Sequence, residues 1–146
     1  MCNMGKESLY KEIDLIQGCI NRMAQNSFML KGWALTVFAG VTAFMRGENL
    51  ENNLILLCTV IIPFFCFWLL DAFFLRTERI YCSMYSDVLE KRRKGDFSGQ
   101  FELKPKNESA ESLVKIMFSF TLRIFYGIPL LICLLLFCYN LCKVYA

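Results

Sequence analysis

LILLCTVIIPFFCFWLLDAFFL, residues 54–75, is an almost unbroken apolar run. At about 22 residues it matches the roughly 20 that an α-helix needs to cross a bilayer. One charge interrupts it, Asp71, near its far end. A carboxylate at that depth is costly without a partner, so the rest of the chain is placed by asking what meets Asp71.

Two further runs flank this one. Phe28 to Met45 carries a single charge, Lys31, close enough to its start for the ammonium to reach the headgroups, and Trp33 beside it suits an interfacial belt. The polar turn Arg46–Asn53 joins this run to the next as a tight antiparallel hairpin. Downstream, Arg123 precedes about 19 uncharged residues, Ile124 to Cys142, enough for a third span. Pro63 and Pro129 fall inside the second and third runs and predict bends there.

The segments outside these runs read as helix too. Leu9, Ile13, Ile16, Ile20, Met23, Ser27 and Leu30 recur at alternating steps of four and three, the seam of a helix lying against another. Leu70, Phe74, Thr77, Tyr81, Met84 and Val88 continue such a seam beyond the second run. An antiparallel helical stalk is expected to project from the membrane. The predicted fold class is therefore an all-α membrane protein, three transmembrane helices with a cytoplasmic antiparallel helical stalk, in a single membrane domain over 1–146. Its parts are an amphipathic helix over 7–27, spans over 28–45 and 54–75, a cytoplasmic helix over 76–94, a loop over 95–112, an amphipathic lead-in over 113–123, capped by Ser109 or Ser112, and a span over 124–142. Phe97, Phe101 and Leu103 are the loop residues suited to tuck it against the stalk.

Composition agrees with that picture. The apolar fraction is 56%, above the roughly 45–50% of soluble domains, and it is concentrated in the three runs. The polar first 27 residues contain no apolar signal region. Most of the eight cysteines lie in apolar runs and read as packing residues. With no histidine and no C-x-x-C pair, no metal site or cofactor is expected. Asn107-Glu108-Ser109 fits a glycosylation acceptor, but on the cytoplasmic side. Basic residues crowd the segments before the first run and between the second and third, which predicts the N-terminus inside and the C-terminus outside.

Three sets of residues are candidates for function. Lys31, Asp71 and Arg123 form an expected salt bridge or gate at the cytoplasmic edge of the spans. Counted from the outer turn, Lys31 and Asp71 lie at similar depths, about 22–26 Å, and both follow a seam residue, so these two are expected to pair, with Arg123 as competing partner. A fixed register clamp and a proton-linked switch both fit such a pair. Gly32, Thr36, Ala39, Gly40 and Ala43 make a small-residue face for close helix packing, within one subunit or between copies. Lys91, Arg92, Arg93 and Lys94 form a basic run read as a solvated helix end or a patch for anionic lipid or ligand. Hydrolytic and phosphate-binding motifs are absent, so no enzyme is expected.

Arg22–Phe28 leading into Lys31-Gly32-Trp33, and Phe67–Arg79, resemble a family of small bacterial membrane proteins. The layout of helix, membrane hairpin and long helix over residues 9–90 is similar to SLATT-type two-span effectors, and the third span is an addition to that pattern. The resemblance implies an inner-membrane effector of an antiphage defence system, disrupting or permeabilising the bilayer when triggered through its cytoplasmic helices. It also implies a neighbour-encoded sensor or nucleotide-messenger enzyme as partner. A homo-oligomer in the lipid bilayer is expected, and no nucleic-acid partner. The alternatives are a membrane anchor or assembly subunit that recruits a soluble partner, and an oligomeric channel for small molecules or ions.

Overall fold

The computed structural model describes residues 2–44, 50–104 and 111–145. Among the described residues there are four helices, α1 (Cys2–Phe44), α2 (Leu50–Arg93), α3 (Leu113–Met117) and α4 (Phe120–Tyr145), and no strand. The expected all-helical class is what the structure shows. The turn residues 46–49 and the motif Asn107-Glu108-Ser109 lie outside the described residues.

Helices α1 and α2 are 43 and 44 residues long; α1 runs from the stalk through the first apolar run to Phe44, and α2 extends past both ends of the second without interruption. At 1.5 Å per residue each is about 65 Å long. Nothing in α1 breaks a helix, and α2 continues through Pro63, which lacks the N–H that would bond the carbonyl one turn earlier. Glycine ends α2. Gly95 has φ +76°, its N–H donates to the Arg92 carbonyl, and the Asp96 N–H donates to the Lys91 carbonyl, both at 3.1 Å. These two bonds satisfy carbonyls that the helix end would leave unpaired, and the left-handed residue they require favours glycine.

Contacts between the long helices fix an antiparallel register. Moving along α1 through Glu12, Gln17 and Lys31, the partners move backward along α2 through Arg92, Tyr85 and Asp71. On α1 the seam turns inward, with Ile16 fully buried, Ser27 buried and Leu9, Ile13, Ile20, Met23 and Leu30 half-buried. On α2 the expected seam holds from Phe74 to Val88 but not at Leu70, which is 44% exposed while Asp71 and Ala72 are fully buried. Here α2 is covered from two sides, by α1 and by the α3–α4 segment. Adjacent residues therefore both become interior and Leu70 turns away.

The core cluster joins Ala34, Phe64, Ala72, Ile116, Met117, Leu122 and Tyr126. The lead-in to the last helix departs from expectation, because it does not run on unbroken. Ser112 caps α3, accepting from the Lys115 N–H at 3.3 Å, but the helix stops at Met117 and restarts at Phe120. The interruption leaves the Met117 carbonyl free to accept the Trp68 indole N–H at 3.1 Å. The start of α3 is tied to α2 as well, since the Glu111 carbonyl accepts from Arg76 Nε at 3.0 Å and the Glu111 carboxylate pairs with Arg79.

Of the three expected spans, one stretch, Thr59–Arg93, is long and apolar enough to cross a membrane among the described residues, and Phe120–Leu135 is apolar but shorter.

Candidate functional site

Asp71 is completely buried and both of its carboxylate oxygens are occupied. Lys31 Nζ lies 2.9 Å from Oδ1 and 2.7 Å from Oδ2. The Ser27 hydroxyl donates to Oδ1, and the Tyr126 hydroxyl donates to Oδ2 at 3.1 Å. Ser27 and Lys31 stand one turn apart on α1 and so share a face; Lys31 also donates to Ser27 Oγ at 2.7 Å. Four donor contacts from two neighbouring helices fill about the four lone-pair sites a carboxylate offers.

Aromatic packing positions the tyrosine. The Tyr126 ring stacks on Trp68, centroids 6.2 Å apart and planes 11° from parallel, and meets Phe64 edge-on at 5.3 Å. Trp68 is itself oriented by its bond to Met117 at the α3 break. One side chain thus seats α4 against the hairpin while completing the shell of Asp71. The result is an electrically balanced joint with no open coordination position and no spare acceptor.

Lys31 and Asp71, placed at matching depth by the sequence, are brought together. Arg123 is not. It is exposed, because the inward face of α4 is set by Leu122 and Tyr126, one turn apart, and Arg123 lies about 100° round from Leu122. Tyr126 takes the position expected for the arginine. Sequence reading missed it, as it missed the polar role of Ser27. The one available signal was a serine on an otherwise apolar seam, four residues before the lysine.

The small-residue face points outward. Gly32, Thr36, Ala39, Gly40 and Ala43 are all exposed, and a Cβ added at Gly32 or Gly40 would meet nothing within 4 Å. Packing of this face inside one subunit, one of the two expected uses, does not occur among the described residues.

The basic run was read as a solvated helix end or a patch of four cations, and one of its four members belongs to neither. Arg92 is buried and bonds Glu12 through both ends of its fork, Nε to Oε2 at 3.0 Å and Nη2 to Oε1 at 2.8 Å. Lys94 pairs with Glu90, leaving Lys91 and Arg93 as exposed neighbours. The run is about 31 Å along α2 from Asp71, at the far tip of the stalk. Burial alone would raise the Glu12 carboxyl, but the hydrogen bonds from Arg92 and the Phe101 amide, with the guanidinium charge, hold it below the ordinary carboxylate value.

Comparison with family models, with curated proteins and with solved structures found no match.

Two predictions follow from this geometry. Removing one partner of a buried ion pair costs about 3–5 kcal/mol, so Lys31→Asp and Asp71→Lys should each lower the melting temperature of the purified protein sharply. The double exchange should recover much of the loss, and a double variant no better than either single one would refute the pairing. Because the folded-state pKa of Glu12 is depressed, its contribution to stability is complete above the ordinary carboxylate pKa and declines as pH falls through the folded value. Hydrogen exchange over residues 96–104 should therefore accelerate under acid, relative to intrinsic exchange, and Glu12→Gln should flatten that pH response.

Proposed function

We propose that this chain is a membrane effector whose apolar half lies in the bilayer as three spans and whose stalk stands in the cytoplasm and receives a trigger. The supporting observation is the distribution of exposed apolar side chains. Apart from Tyr10, Leu15, Phe97 and Phe101, the large exposed hydrophobics fall within 28–35, 55–73 and 114–139, the half of the hairpin on which α4 packs. Phe28 is 77% exposed, Phe120 72% and Ile62 70%. A patch of that extent is foreign to a soluble monomer and suits hydrocarbon as solvent.

Helix lengths support the same placement. The 26 residues of α4 reach about 39 Å, and Leu50 to Asp71 about 31 Å, against roughly 30 Å of hydrocarbon. The basic flanking residues favour the N-terminus inside and the C-terminus outside.

The effector role, its setting in a bacterial inner membrane and antiphage locus, and a neighbour-encoded sensor as partner rest on the resemblance to SLATT-type proteins. Permeabilisation requires an oligomer in this reading. Where the three helices meet, the walls are apolar (Phe38, Val60, Phe64, Pro129, Cys133), with no polar path through one copy among the described residues. The outward face of Gly32, Thr36, Ala39, Gly40 and Ala43 offers a close approach to another copy. The saturated shell of Asp71 favours a second reading, a membrane anchor that recruits a soluble partner, since a joint with no free valence suits a fixed scaffold.

Expression in bacterial cells carrying a voltage-sensitive dye separates the two. The effector reading expects depolarisation on phage infection and loss of protection when the gene and its neighbours are deleted. Neither effect, together with copurification of a neighbour's product and no conductance in liposomes, would leave the anchor. Reporter fusions should place the N-terminus in the cytoplasm and the C-terminus outside it.

A further inference from the structure

The end of the hairpin farthest from the apolar half is closed by residues 96–104, which cross from α2 to α1 as a strap. The strap is held by polar contacts. Arg92 Nη1 donates to the Asp96 carbonyl at 2.6 Å and more weakly to the Ser98 carbonyl at 3.4 Å. Gln100 Nε2 donates to the Ser8 hydroxyl at 2.9 Å, and the Phe101 N–H donates to Glu12 Oε1 at 3.1 Å. The Arg92 guanidinium lies 5.6 Å above the Phe97 ring. Of the three residues expected to tuck this segment against the stalk, Leu103 is half-buried, while Phe97 and Phe101 stay 50% and 45% exposed, so apolar burial of the two rings contributes little.

Strain opposes closure. Phe101 has φ +64°, a left-handed conformation that costs a residue with a side chain about 1–2 kcal/mol. It sits third in the turn closed by the Glu102 N–H on the Gly99 carbonyl at 3.1 Å, a position that takes positive φ and favours glycine. What compensates is a hydrogen bond to an ionised, buried carboxylate, among the stronger kinds. That carboxylate has two clients, because Glu12 Oε1 accepts from both Arg92 Nη2 and the Phe101 N–H. The strap therefore closes only while Glu12 is held in place, and the Glu12–Arg92 pair stays dry only while the strap is closed.

We propose that residues 96–104 are a clasp that keeps the protein in its resting state, with the Glu12 carboxylate as the catch. Opening the clasp admits water to the Glu12–Arg92 pair and weakens the staple at the free end of the hairpin. The two long helices can then part from that end, about 30 Å from the Lys31–Asp71 joint. The inhibitory role rests on the effector reading; the clasp's opening as a unit does not.

Phe101→Pro tests it in the full-length protein. Proline has no N–H and a φ near −65°, so it cannot occupy this position of the strap, while the Glu12–Arg92 pair keeps its own bonds. Hydrogen exchange over 96–104 in reconstituted protein should rise by about tenfold or more, the factor for one lost bond to a charged group. Cells expressing the variant should depolarise without phage infection. Glu12→Gln, which weakens the catch without altering the backbone, should act in the same direction and serves if the proline variant does not fold. Unchanged exchange in both variants overturns the clasp. Faster exchange with resting potential held, in cells where the wild type depolarises on infection, overturns its inhibitory role. If neither wild type nor variants depolarise even during infection, the effector reading fails, and the inhibitory role with it.

Discussion

A buried carboxylate cannot be left alone, and the arrangement of this chain around Asp71 follows from that constraint. Removing the partner of such a group costs a sizeable part of the 5–15 kcal/mol by which a typical fold is stable, so the donors that surround it are held closely. Lys31 and Ser27 fix how α1 and α2 slide past each other. Tyr126 fixes where α4 sits. The break between α3 and α4 belongs to the same construction, since the carbonyl it frees orients the tryptophan that stacks on the tyrosine.

A second buried ion pair stands at the other end of the hairpin. Glu12 and Arg92 are about 30 Å from the first pair, and the apolar seam between them fills with residues such as Ile16 and Ile20. Two polar contacts far apart on the same helices define register more sharply than an apolar seam can. A seam of similar side chains tolerates a shift by one heptad, whereas a misplaced buried charge does not. The two pairs differ in surroundings. Asp71 is enclosed by packed aromatic rings, whereas Glu12 is roofed by an exposed strap with a strained residue. The first suits permanence and the second suits release.

The chain divides physically where these pairs lie. On one side of Asp71 the outward surface is large and apolar, and on the other it is charged. The helices pass through this boundary unbroken, so motion at the tip has a rigid route to the apolar half. A loop at the boundary would have uncoupled the two.

Much of this was legible in the residues alone. Helical class, the α1 seam, the α2 seam from Phe74 to Val88 and the antiparallel hairpin follow from periodicity, and the meeting of Lys31 with Asp71 from their matching depth. These are local properties of a helix and need no knowledge of the rest of the chain, whereas the seam at Leu70 failed where a third helical segment covers α2. What required the tertiary structure was every contact made across sequence-distant elements without a periodic signature. Tyr126 rather than Arg123 reaches Asp71 because the rotation of α4 is set by Leu122 packing into the core. Arg92 leaves the basic run for Glu12 because a glycine-ended helix turns the strap back over the tip, and no pattern in the basic run marks one of its members as buried. The sequence determined the helices and their seams; only the packing of three helices decided which polar groups those helices would share, because a buried charge selects its partner by proximity in space.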